Sequence, residues 1–403
     1  MRCTRVLLVL AILVVGLAYF LYTPFPDDAV ETLYQMSISL LTATVMAMCD
    51  FQEYIGYSSF TKCVLNPLNL RTTTTYTTEE LSDSSVQVSE ELFDGVKVRL
   101  FVPRDTSMKD PLPAVIFFHG GGWIIGSVAQ YDSFTRMISR TTPIMVVSVE
   151  YRLAPEYTFP IPFQDCLTAT KYFMKNAKMY GVDANRIALS GDSAGGNMAM
   201  AVGIKLTQER QPPRLLGLIY PALQIADFKT PSYKTYTSSP FLLQTDRMIQ
   251  FYLRYIFGND SYLDQFLENQ HITAEMRNGV TSKVSVELLP EKYHKLQTRP
   301  EDLKPADKSL AEKVGKFFTN VYLCPLMLDD EMLSQLPKTY LLTCEYDPLR
   351  DDGLMLAKRW KNLGFPVKHV HWEGVQHGFM PLVKMNRSRE AVADFISYLR
   401  AEL

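Results

Sequence analysis

A serine flanked by glycines is the strongest chemical signal in the sequence. Residues 191–195 (GDSAG) match the pattern G-x-S-x-G. An apolar run, residues 187–190, precedes the pattern, and a helix-competent stretch, residues 197–207, follows it, which is the strand-turn-helix context of a nucleophile elbow. Glycines are needed there because the turn strains the backbone and brings the helix close to the strand. We expect Ser193 to be the nucleophile of an acyl-transfer reaction.

A glycine-rich loop supplies the second signal. Directly after the apolar run of residues 114–118 the chain reads His119, Gly120, Gly121, Gly122, Trp123. Consecutive glycines let the main chain aim the N–H groups of Gly121 and Gly122 at one point, where the N–H of Ala194 can join them. An ordinary glycine-rich loop or a phosphate cradle is the alternative, but the phosphate-binding patterns G-x-G-x-x-G and GK[ST] are absent. The loop therefore predicts an oxyanion hole with three donors.

The serine also needs a base, which in this type of fold follows the nucleophile and the acid along the chain. The histidines after Ser193 are His271, His294, His369, His371 and His377. The first two fall in a region of different pattern, and the next two alternate within an apolar run, where they would face a sheet surface. His377 stands in the loop after that run, so we expect it to be the base.

The acid should come from the end of another strand. Asp347 follows the apolar run of residues 339–344 and precedes His377 by 377 − 347 = 30 residues. Glu345, Asp351 and Asp352 are its rivals, although the two aspartates can instead cap the helix that follows. We expect Asp347 to orient the imidazole of His377.

The elements that must position these groups alternate between short apolar runs and helical segments. Strand candidates are residues 96–102, 114–118, 144–149, 187–190, 216–220, 339–344 and 367–372. A helix over residues 163–180 ends at Gly181, a C-terminal cap. This alternation predicts an α/β fold with a mostly parallel central sheet flanked by helices.

One segment breaks this rhythm. Residues 225–336 form long helical stretches rich in Tyr, Phe and Met with few β runs, which favours an insertion over the active site. With residues 25–90 it would form a helical cap. The aromatic and Met side chains suit an apolar acyl or aryl group, but any one of them could be ordinary core. Residues 71–85, rich in Thr and Ser, are typical of an exposed connector or an irregular edge.

An apolar run near the N-terminus predicts attachment to a membrane. Residues 6–22 are uncharged, with Arg2 and Arg5 before them and Asp28 after them, and the basic flank favours a cytosolic N-terminus. We expect residues 1–24 to be a single-pass signal anchor and residues 25–403 the catalytic domain across the membrane. Seventeen residues lie at the short limit for crossing the bilayer, so a cleaved signal peptide is the alternative. Residues 33–49 predict a helix packed on the body, or less readily at the membrane surface.

Translocation would have chemical consequences. Asn259 and Asn386 each begin an N-x-S pattern and become glycosylation candidates. Of the six cysteines, Cys3 would stay at the cytosolic edge, so at least one of the remaining five is unpaired in the monomer.

Composition excludes several classes of partner. The 403 residues carry a net charge of −2 and no block of five or more like charges, so no nucleic-acid partner is expected. No CxxC or zinc-like spacing of cysteines occurs, which indicates no metal site. Acyl transfer by a serine needs no cofactor.

Taken together, the motifs HGGGW, GDSAGG, DPLRDD and HGF, with YRLAPE at residues 151–156, resemble the hormone-sensitive-lipase-like branch of α/β-hydrolases. Four further stretches are similar to the arylacetamide deacetylase family within it: YTPFPD (22–27), YPALQ (220–224), LLPE (288–291) and LRDDGLM (349–355). The resemblance covers nearly the whole chain. One departure is Ile124, where relatives often carry a cysteine that can pair with the one matching Cys344, so that disulfide is not expected here.

The resemblance implies a single-pass (type II) enzyme of the endoplasmic reticulum membrane with a lumenal catalytic domain. Its substrates would be small hydrophobic esters or amides: carboxylic esters, lipid esters or arylacetamides. A neutral cholesterol ester or acylglycerol lipase shares every catalytic residue and is the nearest alternative. A catalytically silent hydrolase fold used for binding is the alternative of another class, and it predicts damage to the triad or the oxyanion loop.

Overall fold

An eight-stranded sheet forms the centre of the molecule in a computed structural model, which describes residues 25–26, 28–66, 84–104, 111–237, 240–299 and 302–403. The strands are β1 (Val86–Phe93), β2 (Val96–Pro103), β3 (Leu112–Phe118), β4 (Met145–Glu150), β5 (Val182–Asp192), β6 (Leu215–Ile219), β7 (Lys338–Tyr346) and β8 (Val367–Gln376). Their order is β1-β2-β4-β3-β5-β6-β7-β8. The pairs β1·β2 and β2·β4 are antiparallel and all others are parallel, which confirms the predicted mostly parallel sheet.

Every predicted strand is present, but the sequence missed β1. This edge strand is exposed at half of its positions and fully buried only at its two ends, so it lacks the apolar run by which the buried strands were found. The register of β1 on β2 pairs Val86 with Pro103 and Phe93 with Val96. The two strands form a hairpin whose turn is at Asp94 and Gly95, both with positive φ.

Helices cover both faces of the sheet. They are α1 (Thr32–Tyr54), α2 (Phe60–Val64), α3 (Asp132–Thr141), α4 (Ile161–Asn176), α5 (Ala194–Gln208), α6 (Pro231–Thr235), α7 (Thr245–Phe257), α8 (Leu263–Leu267), α9 (Ala274–Asn278), α10 (Lys308–Phe318), α11 (Asp330–Leu333), α12 (Arg350–Asn362) and α13 (Asn386–Glu402). Strand β3 is buried throughout and sends alternate side chains into two cores. Helices α4, α5 and α12 pack into one core, and α3 and α13 pack into the other, as expected for crossover helices.

The predicted helix end at Gly181 is confirmed. Helix α4 is followed by a 3-10 turn, Ala177–Tyr180, and Gly181 caps it with φ +68°. The long helices predicted for residues 225–336 were partly wrong. In its described part, residues 225–237, 240–299 and 302–336, that segment has no strand, but only α7 and α10 exceed five residues.

Helix α1 is the single helix, among the residues that the structure describes, that is long and apolar enough to cross a membrane. It packs on the body as well, since Gln35, Ser39, Val45 and Cys49 are buried. The predicted anchor at residues 6–22 lies outside the described residues, as does most of the predicted connector at 71–85.

Candidate active site

Ser193 sits at the turn between β5 and α5 in a strained backbone conformation, with φ 57° and ψ −120°. The glycines on either side allow this turn. A Cβ on Gly195 would lie 2.0 Å from the carbonyl oxygen of Phe118, and one on Gly191 would lie 2.3 Å from the oxygen of Gly195. No real Cβ tolerates such distances, so only glycine lets the helix approach the sheet this closely.

The three residues predicted to form a triad lie in one hydrogen-bonded line. The Oγ of Ser193 is 2.9 Å from Nε2 of His377, and Nδ1 of His377 is 2.8 Å from Oδ2 of Asp347. All three side chains are buried. With the imidazole proton on Nδ1, His377 donates to Asp347 and accepts from Ser193, which is the arrangement a serine needs for activation.

The loop positions of the acid and the base are fixed by the main chain. Asp347 accepts the N–H of Leu349 at 2.8 Å, and the N–H of His377 donates to the carbonyl of Tyr346 at 3.1 Å. A main-chain hydrogen bond therefore joins the end of β7 to the start of the loop after β8, at His377 itself.

The rival acids have other partners. Asp351 accepts the N–H of Ser232 at 2.7 Å, and Asp352 accepts from the N–H of Leu223 at 3.2 Å and the amide of Gln224. Burial raises the pKa of Asp352 well above its ordinary value. These aspartates thus attach the first turn of α12 to residues 223–232 and lie outside the line from Ser193 to Asp347.

The other histidines have structural contacts. His271 stacks on Phe266 with ring centroids 4.0 Å apart, and His294 lies 3.0 Å from the carbonyl of Leu289. His369 and His371 project from the same side of β8 and share the hydroxyl of Thr343, each at 2.9 Å.

The glycine loop after β3 lines the same cavity as Ser193. Gly121 has φ +116° and Gly122 φ +60°, and a Cβ on Gly122 would lie 2.1 Å from the ring of Phe251. Hydrogen bonds among the described residues leave the N–H groups of Gly121, Gly122 and Ala194 without an acceptor. Since Gly121, Gly122 and Ser193 line one cavity, these donors are placed where a carbonyl oxygen could meet them.

His119 and Trp123, at the two ends of the loop motif, pack the glycine loop against its neighbours. The ring of His119 stacks on Tyr151 with centroids 4.3 Å apart, and the hydroxyl of Tyr151 donates to the carbonyl of His119 at 2.7 Å. Burial lowers the pKa of His119, so the ring is neutral. Trp123 stacks on Tyr255 of α7 at 4.6 Å.

Sequence reasoning missed Asp192, the residue directly before Ser193. Its Oδ1 accepts the N–H of Gly120 at 2.8 Å and its Oδ2 accepts the hydroxyl of Tyr131 at 2.9 Å. Burial raises the pKa of Asp192 to about 6. The carboxylate therefore joins the oxyanion loop to the elbow. A signal was available, because Asp192 is the only ionisable residue between Ile187 and Ser193 at the end of a buried strand.

The cavity above Ser193 has a volume of about 220 Å³ and an apolar lining. Its walls come from the glycine loop after β3, from helix α1, from α7 and the segment before it, and from the loop between β8 and α13. They include Ile38, Met46, Leu242, Met248, Phe251 and Leu382. Helix α1 belongs to residues 25–90, the range that the sequence predicted to contribute to the cap.

Helices α1 and α7 are joined across the cavity. Arg247 of α7 pairs with Asp50 at 2.7 Å, and Arg254 pairs with Glu53 at 2.8 Å. A disulfide between Cys49 and Cys63 ties the end of α1 to α2.

Three further cysteines, Cys166, Cys324 and Cys344, are free thiols. Cys344 lies 3.5 Å from Asp347, and Ile124 is buried. Within the described ranges, no group of three His, Cys, Asp or Glu side chains could hold a metal ion. The glycosylation candidates Asn259 and Asn386 are both exposed.

Comparisons with known proteins agree with this geometry. A family model described as an alpha/beta hydrolase fold matches residues 115–278 and 281–381. Arylacetamide deacetylase of Mus musculus is 35% identical over 97% of this chain and 98% of its own length. Neutral cholesterol ester hydrolase 1 of Mus musculus is 34% identical, over 94% of this chain and 93% of its own.

Solved structures give the same picture. A bacterial heroin esterase superposes with a TM-score of 0.61 and 29% identity, covering 81% of this chain and 88% of its own. An esterase of Pyrobaculum calidifontis gives a TM-score of 0.59 and 29% identity, over 78% and 85% of the two chains.

Proposed function

This chain belongs to the arylacetamide deacetylase family of α/β-hydrolases and is a carboxylic ester hydrolase, and we propose that Ser193, His377 and Asp347 catalyse its reaction. The observation that carries this proposal is the unbroken line from Ser193 Oγ through His377 to Asp347, with contacts of 2.9 and 2.8 Å. No other His in the described chain has both a serine and a carboxylate as partners at a strand end.

In the acylation step, Ser193 Oγ attacks the substrate carbonyl while its proton passes to Nε2 of His377. The resulting oxyanion is held by the N–H groups of Gly121, Gly122 and Ala194, and Asp347 stabilises the imidazolium. Collapse of the intermediate breaks the bond to the alcohol or amine, which leaves with the proton from His377.

Deacylation repeats these roles with water. His377 takes a proton from the water as it attacks the acyl-enzyme, and the carboxylic acid leaves as Ser193 regains its proton. The residues of the chain supply every group that this sequence of steps requires.

The cavity favours a small hydrophobic acyl or aryl group in the substrate. Its volume of about 220 Å³ is below the roughly 300 to 1,000 Å³ of pockets that enclose drug-sized ligands. A cholesterol ester or acylglycerol could place only part of its length inside, so we rank a short-acyl ester or an arylacetamide above these lipids. The 34% identity to neutral cholesterol ester hydrolase 1 keeps lipid esters as the second candidate.

We place the catalytic domain in the lumen of the endoplasmic reticulum, anchored by residues 6–22, with residues 25–90 and 225–336 as a cap. The Cys49–Cys63 disulfide supports an oxidising compartment. Exposure of Asn259 and Asn386 makes both reachable for glycosylation. Ion pairs between α1 and α7 support a cap built from both segments.

The test is a comparison of Ser193→Ala with Ser190→Ala. Ser190 lies on β5 three residues before Ser193, is buried and donates to the carbonyl of Gly217, so it is a matched control. We expect the Ser193 variant to lose both turnover of a short p-nitrophenyl ester and labelling by a fluorophosphonate, with unchanged thermal unfolding. The control should keep both. Absence of labelling in the wild-type protein would instead favour a catalytically silent fold.

A further inference from the structure

The exposed side of α1 and the loop after it carries most of the large apolar surface of the described chain. Of twelve exposed large hydrophobic residues, seven lie between positions 33 and 57: Leu33, Leu40, Met48, Phe51, Tyr54, Ile55 and Tyr57. Phe51 is 61% exposed, Tyr54 88% and Tyr57 79%. Scattered apolar residues are ordinary on a surface, but a concentration of this kind marks an interaction site.

The stripe follows the helical repeat, since Leu33, Leu40, Met48 and Phe51 are separated by seven, eight and three residues, which are sums of three and four. The opposite side of α1 is attached to the catalytic body. Gln35 donates to the carbonyl of Gly374 at 2.9 Å, and Ser39 donates to Gln376 at 2.9 Å. A helix fixed in this way lies along the body, so its exposed stripe faces outward along its length and the helix does not cross a bilayer itself.

The sequence indicates what covers the stripe. Residues 32–49 contain no charged side chain, so the partner is apolar and is not recruited by charge. The uncharged run of residues 6–22 ends only nine residues before α1. Nine residues reach at most about 30 Å when fully extended, so an anchor at 6–22 keeps α1 next to the bilayer surface.

The same helix lines the cavity above Ser193. Ile38, Thr42 and Met46 face that cavity, on the side of α1 opposite the exposed stripe. An apolar molecule at the stripe is therefore separated from the active-site cavity by one helix diameter, about 10 Å.

We propose that the exposed stripe of α1 and residues 54–57 rests in the interfacial layer of the bilayer and admits hydrophobic esters from the lipid phase to Ser193. The part concerning esters rests on the proposed function, whereas the part concerning the bilayer does not. Interfacial helices of this kind bury an apolar face roughly 5–10 Å into the boundary between headgroups and acyl chains.

The first experiment measures contact with lipid directly. The full chain carrying Cys3→Ser is labelled with an environment-sensitive fluorophore at Phe51→Cys and reconstituted in phosphatidylcholine vesicles that contain lipids with a quencher near the headgroup. The free thiols Cys166, Cys324 and Cys344 are buried. Leu92→Cys is the matched control, because Leu92 is also 61% exposed but lies on β1.

Strong quenching at position 51 with little at position 92 is the expected result, and it should be insensitive to anionic lipid and to salt. Equal quenching at both positions, or none at position 51, overturns the proposal. Self-quenching between labels at position 51 without quenching by lipid also overturns it, since a second copy of the chain would then cover the stripe.

The second experiment measures delivery of substrate. The double variant Phe51→Glu, Tyr54→Glu should hydrolyse a long-chain ester embedded in the vesicles at least about tenfold more slowly, because tenfold is the effect of losing only one of its two buried aromatic side chains. Turnover of a water-soluble short ester should stay within about twofold, as should both activities of Leu92→Glu. Equal loss on both esters would refute delivery from the lipid phase. Absence of any ester turnover by the wild-type protein would refute the proposed function. The quenching experiment would still test the contact of the stripe with lipid.

Discussion

The carboxylate of Asp192 joins the oxyanion loop to the nucleophile elbow, so its replacement gives the sharpest test of how the site is held together. Asp192→Ala removes the acceptor for Gly120 N–H at 2.8 Å and for the Tyr131 hydroxyl at 2.9 Å. Gly121 and Gly122 follow directly in the loop, so their donors should lose alignment with Ser193.

We expect kcat/KM on a short ester to fall about a hundredfold in Asp192→Ala, the usual cost of misplacing catalytic groups by about 1 Å. Tyr131→Phe breaks one of the two contacts and leaves Gly120 paired, so its loss should be smaller. Asp192→Asn keeps the volume and one acceptor for Gly120, and it should retain more activity than the alanine variant.

Stability should respond differently, because burial raises the pKa of Asp192 from its usual 3.8 to about 6. A raised acid pKa favours the folded state below pH 3.8, and that contribution is lost as the pH rises through 6. This rise in the pKa of Asp192 lowers the free energy of unfolding at neutral pH, relative to that at low pH, by about 3 kcal/mol. Asp192→Asn does not titrate, so relative to wild type its free energy of unfolding should rise by about that amount between pH 4 and pH 7.

The assays are steady-state hydrolysis of a soluble p-nitrophenyl ester and urea unfolding of the same three variants across that pH range. If Asp192→Ala keeps kcat/KM within about threefold of wild type, the loop is held without the carboxylate and the reasoning fails. A pH-independent difference in stability between wild type and Asp192→Asn would refute the buried, titrating carboxylate.

Two other predictions concern packing and cross-linking. Gly195→Ala should strongly lower the melting temperature, because its Cβ would lie 2.0 Å from the carbonyl oxygen of Phe118. Gly315→Ala lies in α10 with open space around it and should stabilise the fold by about 0.5–1 kcal/mol. Equal melting temperatures for the two variants would contradict this prediction. Replacing Cys49 and Cys63 by serine removes a disulfide between positions 14 apart and should lower the free energy of unfolding by about 3 kcal/mol. Denaturant titration against unreduced wild type measures this difference. An unchanged midpoint would contradict the prediction.

Much of the fold could be read from the sequence, because the signals were local. Buried parallel strands are continuous apolar runs, and the turn at Gly191 to Gly195 requires small residues whatever surrounds it. The residues predicted for the triad were found by their place after strands, and the structure brings Ser193, Asp347 and His377 together; their roles remain predictions. Strand β1 was not predicted because an exposed edge strand has no apolar run. The contacts of Asp192 were not predicted because this residue occupies a variable position of the G-x-S-x-G motif.

The contacts that could not be predicted are those between distant parts of the chain, and they converge beside the base. Gln376 precedes His377, and its side-chain oxygen accepts from Ser39 at 2.9 Å and from the N–H of Leu242 at 2.7 Å. Its own N–H donates to the side chain of Gln35 at 3.1 Å. No local pattern relates residues more than 130 positions apart. Because α1 and the segment before α7 both hold the residue next to His377, we expect a shift of either one to displace the proposed base through Gln376.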